Sequence, residues 1–335
     1  NKNYLMLVIG FEGSANKLGI GIIRDNIVLA NERVTYIPPD GAGFIPGETA
    51  LHHKNNILML LRKSLTKANV KLKEVDLFCY TRGPGMAAPL IIVATVARSL
   101  AYHYKKHIIP VNHCVAHIEM GRFITNAKNP TLLYVSGGNT QIISYKDKRY
   151  KVFGETLDIA VGNCLDRIGR ELKLSNRPSP AANIELEARN GRKYIPLPYV
   201  VKGMDVSFSG LLSFIKRFIQ GNDFNLNDLC FSIQETAFAA LVEVLERAMS
   251  FCESSEALIV GGVGCNLKLQ EMVTKMVNQR KGNVYCTDER FCIDNGLMIA
   301  YTGMLMYKSG FVVKENELNC MQSFRTELVE VTWRD

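Results

Sequence analysis

Three times along this chain an apolar run of strand character breaks into a turn of glycines and small polar residues. LMLVIGF (5–11) opens into EGSANKLG, LLYV (132–135) into SGGNT, and ALIV (257–260) into GGVGCN. Each such turn presents backbone N–H groups at a strand end, a common way to hold a phosphate. One alone is an ordinary hairpin. Three, set more than a hundred residues apart, imply a duplicated α/β architecture that cradles a phosphorylated ligand between two lobes. The length agrees, since 335 residues exceed what one ordinary core accommodates.

The second constraint is VNHCVAHIEMGR (111–122). His113 and His117 stand four apart, which on a helix places both imidazoles on one face, within reach of a single metal ion. The same spacing also suits two histidines on a packed or solvated face. Glu119 and Arg122 are candidate partners of the ligating rings. His52 and His53 are adjacent, point in different directions, and make a poor chelate. The chain has nine cysteines, none in a C-x-x-C pair, and most lie in apolar runs. That fits reduced, buried thiols better than a disulfide scaffold. A net charge of +8, spread over the chain in short runs, describes a basic surface and does not alone imply nucleic acid. No apolar stretch is long enough to span a membrane, and the run 5–11 is too short for a signal-peptide core.

Taken in order, residues 4–36 read as three strands. A Gly/Pro-rich loop over 36–53 leads into a helix over 54–69, with Thr49 a candidate cap. Then come a strand at 75–80, a turn at 81–89, an apolar helix at 90–104 suited to burial or to a partner, and a strand running into His113. Residues 155–174 read as a helix carrying Asp158 and Asp166 on roughly one face. Glu185 falls on the helix after PSPAAN, and 227–250 forms a core helix. Asn266 is placed to cap the next helix. Asp294 sits where a strand gives way to a helix that runs to about Met306. The tail CMQSFRTELVEVTWRD has no helical stripe and is expected to end exposed.

GFEGSANK, NHCVAHIEMGR, LYVSGGNTQ, DIAVGNCLDR, VKGMDVSFSG, ALIVGGVGCN, CIDNG and the closing VEVTWRD resemble the universal tRNA threonylcarbamoyladenosine synthase family. The likeness is greatest to its eukaryotic and archaeal branch, the catalytic subunit of the KEOPS complex, once called O-sialoglycoprotein endopeptidase. The resemblance implies an α/β, two-lobed actin-like and sugar kinase-like ATPase fold of duplicated ribonuclease H-like domains with an interlobe ligand cleft. It divides the chain into a first lobe of 1–125 with 305–335 and a second of 126–304. The implied activity is transfer of the threonylcarbamoyl group from threonylcarbamoyl-adenylate to the exocyclic amine of the adenosine 3′ of the anticodon, in tRNAs reading codons that begin with A, with release of AMP.

Carried over residue by residue, His113, His117, Tyr134 and Asp294 would hold one divalent metal ion, zinc or iron. Tyr134, Val135, Ser136, Gly137, Gly138, Asp166, Ala181, Glu185 and Asn266 would bind the adenylate. Ala181 stands where the family usually has glycine, so its methyl group bears on the width of the nucleotide site. Ala116 replaces a frequent glycine and would face away from the metal. No general base is assigned, and Glu12, in the first turn, is a candidate for orienting groups in the cleft. The implied partners are tRNA and the KEOPS subunits: an atypical small kinase, a kinase-binding subunit and a dimerising subunit. No membrane is implied, and the implied location is cytoplasm and nucleus. Two rivals share these features. H-C-V-A-H has the spacing of a zinc-dependent glycoprotein endopeptidase, but Cys114 occupies the position of its general-base glutamate. An ATP-dependent small-molecule kinase of the same fold would explain the cleft but not the histidines within it.

Overall fold

The computed structural model describes residues 5–314 and 318–334. Residues 1–4 and 335, assigned above to the first lobe, lie outside the described residues, as does Asp335 of the closing motif.

The first sheet comprises β1 (Leu7–Glu12), β2 (Lys17–Arg24) and β3 (Ile27–Thr35), with α1 (Pro46–Ala68), β4 (Leu77–Gly83), α2 (Ala87–Tyr104) and β5 (His107–Asn112) following. The long helix α3 (His113–Thr125) leads to the second sheet. There β6 (Thr131–Val135), β7 (Thr140–Lys146) and β8 (Arg149–Glu155) precede α4 (Val161–Glu171) and α5 (Pro180–Ala188). A short ribbon, β9 (Val201–Lys202) with β10 (Asp205–Val206), precedes α6 (Ser209–Gly221) and α7 (Leu226–Phe251). The chain then runs through β11 (Glu256–Val260), α8 (Leu267–Gln279), β12 (Asn283–Cys286), α9 (Glu289–Cys292) and α10 (Gly296–Lys308).

The two sheets repeat one topology. The first has the order β3-β2-β1-β4-β5, the second β8-β7-β6-β11-β12. In each, three antiparallel strands are extended by two parallel ones. The duplication expected from the Gly turns is therefore a duplication of whole sheets, and each Gly turn follows a central strand. β1 and β6 are buried along their full length, as strands covered on both faces must be.

Glycine sets how closely α10 lies on the first sheet. A Cβ at Gly21 would fall 2.1 Å from the Leu297 nitrogen, and one at Gly296 would fall 2.2 Å from the Gly21 nitrogen. Backbone therefore rests on backbone. Leu297, Met298, Ile299 and Ala300 are buried in a core with Val8, Cys79 and Val111 of that sheet. A boundary drawn at 304 would cut through this helix, whose packing joins it to the first sheet from Gly296 onward.

Three local expectations change, and the apolar helix at 90–104 has one buried and one exposed face. α1 begins at Pro46, whose ring suits the first helical position, and Thr49 lies inside the helix with its hydroxyl donating to the Ile45 carbonyl at 2.9 Å. Asp158 precedes α4 rather than sharing its face with Asp166. Its carboxylate accepts from the Ser207 and Ser209 hydroxyls and the Phe208 and Ile159 amides. Burial works against the Asp158 charge, but these donors outweigh it and hold the carboxyl well below its usual range. α2 is buried through Leu90, Val93, Ala97 and Ala101 but leaves Ile91 and Tyr102 exposed. Over its described residues, 320–334, the tail is docked on both lobes. The Met321 amide donates to the Arg82 carbonyl, the Asn112 side chain to the Phe324 carbonyl, the Val152 amide to Glu327, and the Val331 amide to the Lys148 carbonyl. Val331 is fully buried, and the Arg334 guanidinium lies 3.8 Å from the centroid of the Tyr145 ring. These are polar, irregular contacts with no periodicity for a sequence pattern to reveal.

Because a methyl group at residue 21 must lift α10 off the sheet, Gly21→Ala is expected to cost about 2 kcal/mol of stability, read from denaturant unfolding. An unchanged midpoint would show that α10 is free to shift.

Candidate active site

β5 delivers the chain to α3 at Asn112. Its side-chain oxygen accepts from the Cys114 amide at 2.9 Å and the Val115 amide at 3.0 Å, so two otherwise unpaired donors of the first turn are satisfied. The cap fixes where the helix starts and thereby where His113 and His117 point. Their rings pack edge to face with centroids 4.7 Å apart. Nε2 of His117 lies 3.1 Å from Asp294 Oδ1, and Nε2 of His113 lies 3.6 Å from the same oxygen. One ligand atom from each of the three residues falls within 4.8 Å of the others, and all three residues are buried.

Asp294 is free to face the imidazoles because Asn295, not Asp294, caps α10, accepting from the Met298 amide at 3.0 Å. Tyr134, on β6, is fully buried, with its ring centroid 5.5 Å from that of His117. Its hydroxyl makes no hydrogen bond among the described residues, and neither does His117 Nδ1. An orphaned buried phenol beside two imidazoles and a carboxylate is costly as it stands. Metal ligation would satisfy it. The donor set is all nitrogen and oxygen, which suits zinc or iron.

The first Gly turn supplies the partner of His113. Its Nδ1 is 3.1 Å from Glu12 Oε2 and 3.2 Å from Ser14 Oγ. Glu12 also accepts from the Ser14 amide and hydroxyl and from the Thr81 hydroxyl. Burial opposes the charge of Glu12, yet the adjacent His113 outweighs it and the carboxyl sits below its usual range. His113 responds in kind: burial disfavours its cation, and Glu12 more than compensates, raising its affinity for a proton. His117 differs. Burial dominates and lowers its pKa, leaving the neutral ring that ligation requires. For Asp294, burial is again the largest influence, but Lys17, His117 and His113 together keep it ionised far below the usual range.

Glu119 does not serve the imidazoles. It accepts from Arg122 at 2.7 Å and from Tyr150, so Glu12 provides the carboxylate expected of Glu119. Ala116 packs in the first-sheet core with Met120 and α10, away from the histidines. His53 is buried and faces His52, Nδ1 to Nδ1 at 3.1 Å, with its pKa lowered to about 4, chiefly by burial. It joins no metal-holding group among the described residues. Lys17 is the residue sequence reasoning passed over. Its ammonium is 3.8 Å from Asp294 Oδ2, and its field also reaches Asp166. The sole signal was a cation closing the first Gly turn.

The remaining positions belong to the second lobe. Val135 is buried at the end of β6 and Ser136 turns the chain, its hydroxyl accepting from the Gly138 and Asn139 amides. Nothing stands within 4 Å of a Cβ built on Gly137 or Gly138, so that turn is open to a ligand. Gly261, at φ +92, brings the third turn against the Val135 carbonyl, where a side chain would collide. Asp166 accepts from the Ala181 amide at 3.0 Å, and burial raises its pKa. Glu185 accepts from the Leu267 amide at 2.9 Å. Asn266 caps α8 through the Lys268 and Leu269 amides and donates to Gln234 at 2.7 Å. Asp166 with Ala181, and Glu185 with the segment following Asn266, are thus tied into one surface, although the Asn266 side chain is already occupied as a cap.

The family model TsaD, tRNA N6-adenosine threonylcarbamoyltransferase, matches residues 26–301. A protein of that name from Encephalitozoon cuniculi is 64% identical over 98% of this chain and 100% of its own length, and the Homo sapiens protein is 57% identical over 98% and 99%. The chain belongs to the tRNA N6-adenosine threonylcarbamoyltransferase family. It is a transferase of tRNA modification. Among solved structures, HypF from T. kodakarensis superposes with a TM-score of 0.63 at 16% identity, covering 94% of this chain and 49% of that one. The activator of 2-hydroxyisocaproyl-CoA dehydratase from Clostridium difficile, solved with bound ADPNP, does so with a TM-score of 0.55 at 12% identity, covering 92% and 99%. These distant likenesses establish the two-lobed, ATPase-like fold.

His113→Ala and Asp294→Ala are each expected to purify with metal reduced to background in elemental analysis, with circular dichroism unchanged. Glu12→Gln should keep the site but weaken metal affinity about 10- to 100-fold, as loss of a ligand's hydrogen-bonding partner does. Metal content equal to wild type in His113→Ala would remove that residue from the site.

Proposed function

We propose that this chain transfers the threonylcarbamoyl group of threonylcarbamoyl-adenylate to N6 of the adenosine 3′ of the anticodon in tRNAs reading codons that begin with A. The bond between N6 and the carbamoyl carbon forms, the bond from that carbon to the phosphate oxygen breaks, AMP leaves with the electron pair, and the amine proton passes to solvent. The observation that carries the reading is a buried His–His–Asp cluster beside an orphaned phenol on β6, the strand that ends in an open Gly turn.

Gly137 and Gly138 leave open space at the turn for the adenylate phosphate, with the Gly138 amide donating to the Ser136 hydroxyl. Asp166 and Glu185 stand where carboxylates could accept from ribose hydroxyls, next to Ala181. His113, His117, Asp294 and Tyr134 would hold a divalent ion, which when bound supplies Lewis acidity toward the carbamoyl carbonyl. Glu12 fixes the His113 ring, and Lys17 offsets the charge of Asp294. Preorganised charge of this kind accelerates acyl transfer because no reorganisation is needed as the transition state forms.

The same reading includes partners and place. The outward faces of α1 and α2 carry exposed Leu51, Leu58, Met59, Ile91 and Tyr102, apolar surface suited to the helices of another subunit. A kinase-binding subunit, an atypical small kinase and a dimerising subunit of a KEOPS assembly would complete the enzyme and supply tRNA contacts that a net charge of +8 does not by itself provide. All nine cysteines are free, which supports a reducing cytoplasm and nucleus.

A peptidase finds no support at the site. The residue after His113 is Cys114, only 1% exposed, and burial pushes its thiol up to about 11. It cannot serve as the general base that such hydrolysis requires. Incubation of threonylcarbamoyl-adenylate and unmodified tRNA with the protein, alone and with its partner subunits, should yield threonylcarbamoyl-adenosine by nucleoside mass spectrometry and one AMP per modified base. The His113→Ala variant should reduce the yield at least about 100-fold, the scale set by losing one catalytic contact in a preorganised site. No product in either condition would overturn the assignment.

A further inference from the structure

The loop between β3 and α1 belongs to the first lobe and the loop between α4 and α5 to the second, yet they meet. The contact centres on Asn176, which is 4% exposed although it lies in a loop. Its side-chain amide nitrogen faces three main-chain carbonyls of the other lobe: Pro39 at 2.6 Å, Ala42 at 3.1 Å and Pro38 at 3.2 Å. Its backbone amide donates to Asp40 Oδ1 at 2.7 Å, and the Ser175 hydroxyl donates to the same oxygen at 3.2 Å. Polar loops bury an asparagine this completely only where a fixed geometry is being held.

Both loops are rooted beside the candidate site. On the first lobe, Tyr36 and Asn16 exchange hydrogen bonds, the Tyr36 amide to the Asn16 carbonyl at 2.8 Å and the Asn16 side chain to the Tyr36 carbonyl at 3.1 Å. Asn16 lies in the first Gly turn, beside the Lys17 that reaches Asp294. On the second lobe, the Asn183 side chain holds the Ser175 and Arg177 carbonyls. Two residues earlier on the same helix, Ala181 donates to Asp166. The contact therefore connects the turn behind the candidate metal site to the surface proposed for the ribose, and it does so between the two lobes.

We propose that Asp40, Ser175 and Asn176 form a clasp that closes the nucleotide end of the cleft over the bound adenylate. This rests on the transfer reading above and assigns positioning residues to it. The closed clasp retains the adenylate and keeps water from its acyl–phosphate bond. With the clasp broken, the oxygen of a water molecule attacks the carbamoyl carbon in place of N6. The carbon–oxygen bond to phosphate breaks, AMP departs with the electron pair, the water proton goes to solvent, and AMP accumulates without modified tRNA.

Asp40 is exposed and lies on a loop, so its substitution leaves the core untouched. In the assembled enzyme, Asp40→Ala and Asn176→Ala are expected to raise KM for threonylcarbamoyl-adenylate about 10-fold, the scale of one or two lost charge-assisted hydrogen bonds. They should also raise the ratio of AMP released to adenosine modified above one, with metal content unchanged. Asp40→Asn retains the accepting oxygen and should restore both values. AMP affinity by calorimetry reads the clasp without tRNA, and Asp40→Ala should weaken it by a similar factor. Wild-type KM, coupling ratio and AMP affinity in Asp40→Ala and Asn176→Ala would overturn the clasp. A wild-type enzyme that binds AMP in a clasp-dependent way but modifies no tRNA would overturn the transfer reading and leave the clasp standing.

Discussion

The structure depends on burying one helix from every side. All residues from His113 to Gly121 of α3 are buried, and the helix feeds two cores at once. Ala116 and Met120 pack with the first sheet and α10, while Cys114, Val115 and Ile118 pack with β6 and β11 of the second. Gly121 lets it approach β11 closely, since a Cβ there would meet Val260 at 2.8 Å. A helix so enclosed cannot roll without breaching one core or the other. The imidazoles of its first two turns are therefore held as firmly as any core side chain. Chemistry that needs ligands fixed to within a fraction of an ångström is well served by such a mount.

The same burial creates an electrostatic problem. Glu12 and Asp294 are ionised carboxylates in a site almost closed to water, where a lone charge costs several kcal/mol. His113 and Lys17 answer them, one from α3 and one from the first Gly turn. His117, whose proton affinity burial lowers, completes the set as a neutral ring. A divalent ion added to this cluster would favour the loss of the His113 proton, because positive charge would then reach Asp294 from the metal. The pairing of Glu12 with Nδ1 leaves Nε2 free to ligate once the ring is neutral. The first Gly turn thus supports His113 through Glu12 and the charge balance through Lys17, and in the proposed reading the phosphate role falls to the second and third turns.

Much of this was legible in the sequence where the physics is local and periodic. The strand–turn units, the core stripe of α7, the cap at Asn266 and the helical spacing of the histidines all follow from residue type and period. What sequence reasoning missed is what long-range packing decides. Glu119 is near His117 along the chain, but on a helix it faces another direction, toward Tyr150. Glu12, a hundred residues away, arrives at His113 through the pairing of β1 with β4 and β4 with β5. Tyr134 and Asp294 came only from resemblance, because a tyrosine in a buried strand and an aspartate before a helix are ordinary features until the fold brings them together. Asp158 looked helical by spacing, whereas hydrogen bonds to Ser207 and Ser209 hold it outside the helix.

Among the described residues the lobes are tied at places of different character. α3 is an apolar joint shared by both cores. The tail is a strap, bonded to β4 and β5 through Met321 and Phe324 and to β8 through Glu327 and Val331. The meeting of the 38–42 and 175–176 loops is another, and like the bonds from Asn31 and Arg33 to the Arg290 and Glu289 carbonyls it consists of a few polar contacts. Local opening begins where few apolar contacts must be broken. The joint and the strap both bury apolar side chains, Val115 and Ile118 in one and Val331 in the other. If the lobes part to exchange ligand, the break that costs least is at the polar contacts, and the joint and strap remain as the hinge. Fixed imidazoles at the joint and separable polar contacts between the loops are compatible demands, because His113 and His117 belong to the helix that both cores enclose.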